Sequence, residues 1–388
     1  MFKTILEGEF MIDYERVVAE INLDNIAHNV LNIKKTLNNT KLMAVVKADG
    51  YGHGAVEVAK TALYNGADWL GVAIIDEAIE LRKNNIFEPI LILGHTIDTK
   101  LIQVIKYNIT QTIFSYEMAK KLSKEAQKIK KTVNVHIKID TGMHRLGFLP
   151  TEQSINEILK IKDLPYINIT GIFTHFATSD FKDKCFTIKQ YETFENIVNK
   201  LEKQGLTNVI KHVSNSGAIL DLKQYKLDMV RAGIILYGMY PSNDVLKNIP
   251  LKPAMSIKTH VSYVKEIKEN QSVSYCRTYF TNKKTKIATI PVGYADGYSR
   301  LLSNKSRVFV NGAYANTIGN ICMDQFMIDV TNIKNIKEGD VVTLMGDGIT
   351  AEELALLQNT INYEIVCTIG KRIPRVYIKN NEILKIKK

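Results

Sequence analysis

An N-terminal (β/α)8 TIM barrel followed by a C-terminal, mainly antiparallel β domain is the architecture this α/β sequence predicts. Three observations carry that prediction. From about residue 16 to 235, short β-rich apolar runs alternate with amphipathic stretches, and repeated strand–helix units imply parallel strands joined by crossovers. The length, 388 residues, exceeds what one hydrophobic core usually organises. Beyond Pro250 the texture changes to short β runs separated by Gly, Asn and Asp, which reads as an antiparallel domain. The two prolines of NIPLKP mark a boundary at residues 248–253, giving domains of 1–250 and 251–388.

Taken in order, VVAEINL precedes a helix opening at Asp24, a candidate N-cap, with Ile26, Val30 and Ile33 on one face. KLMAVVKA leads into the glycine-rich DGYGHG and the helical AVEVAKTALYNG. WLGVAI is followed by DEAIELRKN, ILIL by TIDTKLIQVIK, and TIF by SYEMAKKLSKEAQKIKK. VNVHIKID ends in a glycine loop before a helix around Glu152–Lys160, and INITGIFTHF precedes one around Ile188–Lys203. IKHVS with NSGAILDL, then LDMVRAG, close the series. About eight such units in roughly 220 residues suit a closed barrel better than an open sheet. In the second domain SIKTHVSYVKEI, TKIATIPVGY, SRVFVNGAYANTIG, QFMIDVTNI and DVVTLMGDG read as strands, with one helix near Ala351–Gln358.

Composition excludes several classes. With 45% hydrophobic and 23% charged residues the chain is neither disordered nor fibrous. Lys+Arg 51 against Asp+Glu 40 gives a net charge of +11. The lysines are spread without a basic block, which favours a solvated surface over nucleic acid or membrane. No apolar run approaches the roughly 18 residues of a membrane span. Glu7, Glu9 and Asp13 interrupt any signal-peptide core at the N-terminus, where Met11 offers an alternative start. Cys185, Cys276, Cys322 and Cys367 are scattered, with no pairing at zinc or disulfide spacing. No metal is expected, and the cytoplasm is the expected compartment.

Polar residues just after barrel strands point into the C-terminal mouth, where chemistry concentrates. Strand ends here supply Lys47, Asp140 with Arg145, His175, Ser216 and Arg231. Lys47, after LMAVV, is either a lysine reaching solvent or a Schiff-base amine of depressed pKa. Arg145, in IKIDTGMHRLG, is either a surface arginine or a fork for a carboxylate. His175, in GIFTHFATSD, is either a satisfied rim histidine or a functional one. HVSNSGA and VRAGIILYG offer backbone N–H groups at two strand ends, suited to an anion. Arg231, amid apolar residues, needs a partner, and a structural ion pair remains open. In the β domain Tyr275 is a packing residue or, if a charge tunes it, a base.

Together AVVKADGYGHG, IKIDTGMHRLGF, GIFTHFATSD, SNSGA, VRAGIILYG, VSYCRTY, PVGYADGYSR and ICMDQFMIDV resemble, in order, the signature segments of the alanine racemase family. The resemblance runs from about Ala19 to Tyr377. It implies a pyridoxal 5'-phosphate (PLP) enzyme that interconverts L- and D-alanine by two bases, with D-alanine supplied for peptidoglycan. Lys47 would carry the cofactor and act on one face of the substrate; Tyr275 would act on the other, delivered across a homodimer with shared active sites. Tyr51, Ser216 and the N–H groups of Gly233 and Ile234 would hold the phosphate. Arg231 would face the pyridine nitrogen, with His175 between it and Tyr275. Arg145, Met323 and Asp324 would serve the substrate carboxylate. Lys138 matches a position that can be carbamylated.

Three residues depart from the family pattern. Cys276 stands where glycine often follows the tyrosine, at a strand position expected to tolerate a small side chain. Asn320 replaces a common arginine of the substrate corridor. Lys371 stands where a tyrosine often sits near the phosphate and the substrate side chain, which implies a more permissive pocket that accepts serine. A PLP-dependent decarboxylase on the same scaffold and a non-catalytic single-barrel PLP carrier are the competing readings. The two-base pair disfavours the first, and the β domain disfavours the second.

Overall fold

The computed structural model describes residues 16–388, so Glu7, Glu9, Met11 and Asp13 lie outside the described residues. Two compact units result: Ile26–Lys252, and Pro253–Lys388 together with the described residues up to Asn25.

The first unit is the barrel. Its eight parallel strands are Lys41–Val45, Trp69–Val72, Ile90–Ile92, Thr110–Ile113, Val133–Lys138, Ile167–Phe173, Ile210–His212 and Met229–Ala232. Each lies beside its predecessor in sequence, and the last returns to the first, with Met43 opposite both Trp69 and Arg231. The remaining gap closes through Asp228 N–H to Lys211 O (3.1 Å) and Arg231 N–H to Ser214 O (3.0 Å). Closure leaves no unpaired edge and turns every strand's C-terminal end to one rim. The expected apolar stripe is present, with Ile26, Val30 and Ile33 fully buried.

Two local expectations are corrected. Asn22, not Asp24, caps the helix Leu23–Lys34, its side chain accepting the Asn25 N–H at 2.9 Å. The strand Val17–Asn22, assigned above to the barrel, belongs to the other sheet, antiparallel to Met255–His260 and parallel to Arg375–Lys379. A buried strand's pattern shows that both faces are covered, but not which strands lie beside it.

The second unit holds a ten-stranded sheet in which that parallel pair is the exception to antiparallel order. A two-stranded ribbon, Ser272–Val273 with Tyr279–Phe280, packs through Val273 against Ile287 and Ile318. The expected helix, Ala351–Gln358, is capped by the Thr350 side chain. One carboxylate is fully buried here. Asp296 receives both Arg16 guanidinium nitrogens (2.8 and 2.6 Å) and the Gly293 N–H (3.1 Å). Burial alone would raise its pKa, but the Arg16 and Gly293 hydrogen bonds and the charges of Arg16 and Arg372 outweigh it and leave the pKa lowered.

Asp296→Asn should therefore destabilise the protein by about 2–3 kcal/mol at neutral pH, below the full cost of breaking a buried pair because Arg16 is partly solvated. A lowered carboxylate pKa contributes stability above the ordinary Asp range and loses it as pH falls through the folded value. Urea unfolding at about pH 7 and about pH 3 should show the gap between wild type and variant narrowing in acid. A pH-independent gap would contradict this account.

Candidate active site

Lys47 begins the turn that follows the first barrel strand. The next residues turn left-handed, with φ of 52° at Ala48, 49° at Asp49, 62° at Gly50 and 52° at Tyr51. A non-glycine residue in this region costs about 1–2 kcal/mol. Side chains offset that cost: Glu77 Oε1 accepts the Ala48 N–H (2.6 Å) and Asp49 Oδ1 the Ala55 N–H (2.9 Å). The turn thus fixes Lys47, half-buried at the rim, and sends Tyr51 inward to pack on Tyr237 with ring centroids 4.8 Å apart.

Tyr51 meets two other strand ends at a small polar cradle. The Gly233 N–H donates to Ser216 Oγ at 3.0 Å. A Cβ on Gly233 would lie 2.9 Å from the Tyr51 hydroxyl and 3.4 Å from Ser216 Oγ, so only glycine leaves the backbone bare there. Ile234 opens the 3-10 turn Ile234–Tyr237, whose first N–H groups lack intrahelical acceptors. Asn215 braces the cradle by accepting the Ala218 N–H at 3.1 Å and the Ser179 hydroxyl at 2.6 Å. Two hydroxyls and converging N–H groups form a donor set that fits a phosphate.

Arg231, on the last strand, is 3% exposed. Its guanidinium donates to the carbonyls of Thr174 (2.8 Å), His212 (3.0 Å) and Val213 (3.0 Å), and to Nδ1 of His212 (2.9 Å) and His175 (3.2 Å). None of these partners is a carboxylate, so among the described residues no ion pair accounts for Arg231. Burial pushes its pKa down to about 9, which leaves it cationic at neutral pH. Because guanidinium only donates, both Nδ1 atoms accept, which assigns the ring protons to Nε2. His212 then passes a hydrogen bond to His136 Nδ1 at 2.9 Å. Burial and Arg231 push His136 down to about 3, and push His175 and His212 well below the usual histidine value. The cation is ringed by neutral imidazoles.

His136 and His212 escaped the sequence reading. His136 stands two residues before Lys138, on the same strand face, and that period-two spacing is the signal for it. Its ring also explains Gly171, where a Cβ would come within 2.5 Å of the imidazole.

Lys138 is 5% exposed, its ammonium 5.3 Å from the Phe173 ring centroid. Burial, then Arg231 and Arg145, lower its pKa to about 7 against the opposing effect of Asp140. Arg145 rides an exposed loop closed by Phe148 N–H to Lys138 O and Asp140 N–H to Phe148 O, both 2.8 Å. The Asp140 carboxylate holds the loop from within, accepting the Gly142 and His144 N–H groups at 3.0 Å. The barrel thus collects Lys47, Tyr51, Lys138, Arg145, His175, Ser216, Arg231, Gly233 and Ile234 at its strand ends.

The remaining candidates belong to the β unit. Tyr275, 67% exposed, stands in a turn between the two strands of the ribbon. Cys276 is not at a strand position, as expected above, but at φ 60°, a left-handed site where glycine is the relaxed residue. Met323 and Asp324 follow a loop fixed by Tyr294 N–H to Cys322 O (3.1 Å) and Ala295 N–H to Met323 O (3.0 Å). A Cβ on Gly293 would strike both acceptor carbonyls at 2.3 Å. The Asp324 carboxylate pairs with Arg372 at 2.9 Å, next to the exposed Lys371. A carboxylate repels an anionic substrate, so backbone N–H is what this loop can offer one.

The alanine racemase N-terminal domain model matches residues 21–241, and the C-terminal domain model matches residues 254–377. A curated alanine racemase of Clostridium perfringens (strain SM101) is 51% identical over 96% of this chain and 97% of its own length. The solved alanine racemase of Clostridium difficile 630 superposes with a TM-score of 0.93 at 46% identity, covering 96% of this chain and 98% of that one. A Bartonella henselae alanine racemase structure with covalently bound pyridoxal phosphate is 29% identical, covers 94% of this chain and all of its own (100%), and has a TM-score of 0.86. With both halves of the chain matched and half of its residues shared with a curated relative, this protein is an isomerase of the alanine racemase family.

Proposed function

We propose that this enzyme interconverts L- and D-alanine with pyridoxal 5'-phosphate, in a cytoplasmic homodimer whose β domains complete each other's sites, supplying D-alanine for peptidoglycan. The observation that carries the reading is Arg231: a buried guanidinium with no carboxylate partner among the described residues, on a strand end neighbouring the polar cradle of Tyr51, Ser216 and Gly233. The Tyr51 and Ser216 hydroxyls with the Gly233 and Ile234 N–H groups would hold the phosphate, and Lys47 would hold the cofactor covalently. When bound, the cofactor supplies a conjugated ring that acidifies the substrate α-carbon. Arg231 could only donate to a ring nitrogen placed against it, which would disfavour that nitrogen's protonation and temper electron withdrawal. A proton removed from the α-carbon would then be returned there rather than displaced elsewhere.

Inversion needs a base on each face. Lys47 Nζ serves one, and the phenol oxygen of the partner subunit's Tyr275 serves the other. Neutral His175, bonded to Arg231, extends that cation's influence toward the phenol, whose pKa a nearby positive charge lowers. Arg145 and the backbone at Met323 and Asp324 orient the substrate carboxylate. Incubation with L-alanine in deuterated water should yield both enantiomers carrying solvent deuterium and no carbon dioxide; release of carbon dioxide would favour the decarboxylase. Lys47→Ala should lose at least about 100-fold in rate, as removal of an acid–base group does. A variant that keeps full activity would refute the mechanism.

The exposed ammonium of Lys371, in place of a ring, favours a second reading in which serine is accepted beside alanine. Small pockets reject one added hydroxyl only about 10²-fold even when well shaped. Chiral chromatography should find serine racemisation well above trace, and Lys371→Tyr should shift the rates toward alanine. An unchanged ratio would end this reading.

Lys138 fits a carbamate on chemical grounds. At a pKa of about 7 much of its amine is neutral and can add to carbon dioxide, releasing a proton, and the resulting anion would face Arg231 and Arg145. Holoenzyme equilibrated with ¹³C-bicarbonate should show a carbamate resonance that Lys138→Met abolishes. A spectrum with no such resonance in the wild type would exclude the modification.

A further inference from the structure

We infer that Asn320, together with Ser274, is a positioning residue that fixes the direction of the Tyr275 phenol, an inference that rests on the reading of Tyr275 as one of two bases. Tyr275 is flanked by residues in a conformation that L-amino acids avoid, with φ of 66° at Ser274, 60° at Cys276 and 51° at Arg277. With its side chain largely exposed in its unit, backbone conformation rather than packing aims the ring.

Two reciprocal hydrogen bonds hold this backbone. Ser274 Oγ donates to the Asn320 carbonyl at 2.5 Å, and Asn320 Nδ2 donates to the Tyr275 carbonyl at 2.8 Å. Each side chain grips the other segment's main chain, so neither segment shifts alone. The far end of the turn is tied as well. Asn304 accepts the Gly319 N–H at 2.6 Å and donates to Thr278 Oγ1 at 3.1 Å. Close approach is built in at Gly319, where a Cβ would lie 2.7 Å from the Val273 carbonyl and 2.8 Å from the Ser274 Cβ.

The clamp therefore meets the turn on both sides of its left-handed residues, with Asn320 at the end that carries the phenol. Only the amide NH2 of Asn320 can donate to a carbonyl, so an aspartate of the same size cannot replace it. Sequence alone presents Asn320 as a lost positive charge in a corridor. Its geometry gives it a different role, that of holding strained backbone under a base.

The test uses full-length holoenzyme with Asn320→Ala and Asn320→Asp. Misplacing a reacting group by about 1 Å can cost 10²-fold. We expect kcat to fall about 10-fold, with KM for alanine changed less than about twofold. With Cα-deuterated L- and D-alanine, the isotope effect should rise for the one enantiomer whose proton Tyr275 handles and not for the other. Adding Cys276→Gly, which relaxes the left-handed site, should restore part of the lost kcat.

Isotope effects that stay as in wild type, whether the rate is kept or lost, would overturn the positioning role while leaving the two-base reading intact. A wild-type enzyme that does not racemise alanine would overturn both. Asn320→Asp keeps side-chain volume, so it reports on the lost donor if Asn320→Ala folds poorly.

Discussion

A guanidinium buried without a carboxylate must be held by carbonyl dipoles and by imidazoles kept neutral, and the barrel's strand ends do this for Arg231. Much of the site follows from that arrangement. Burial, and after it the cation, depresses the pKa values of His136, His175, His212 and Lys138, so the imidazoles stay neutral near pH 7 and much of the Lys138 amine does too. The carbonyls of Thr174, His212 and Val213, at neighbouring strand ends, all accept from Arg231. Replacing it would remove a donor from several acceptors at once, which makes its place structural as well as chemical.

The two proposed bases share a second constraint. Lys47 precedes a run of left-handed residues, and Tyr275 lies between residues of the same kind. Strain of this sort persists only where surrounding hydrogen bonds over-determine the backbone. Glu77 and Asp49 do this on the barrel, and Ser274 and Asn320 on the β unit. In each unit, polar side chains away from the reacting atoms set the direction of the one that would react. The cost in local stability is met by packing elsewhere: Tyr51 buried against Tyr237 on the barrel, Val273 with Ile287 and Ile318 on the β unit.

The basic surplus of +11 has a modest share in this chemistry. Lys47, Arg145 and Arg231 lie at strand ends where anions would be met, and Lys371 is exposed on the β unit. Other lysines sit in exposed pairs such as Lys121 with Asp98 and Lys284 with Glu266, which contribute little to stability in water.

Periodicity and punctuation made most of the fold legible in the sequence. Strand–helix alternation is a local consequence of burying one face of each element, and the glycine turns at Lys47 and Arg145 are marked by residues that only such turns require. Strand ends named the residues of the barrel mouth for the same reason. The sequence could not assign Val17–Asn22 to its sheet, because strand pairing is set by partners hundreds of residues away. Nor could it show that Arg231 is held by carbonyls and imidazoles, that His136 and His212 extend its hydrogen-bond chain, or that Cys276 is left-handed. Local sequence thus determined which chemistry is present. Tertiary structure decided what state each group is in, because protonation and backbone strain depend on neighbours that only the folded chain brings within a few ångströms.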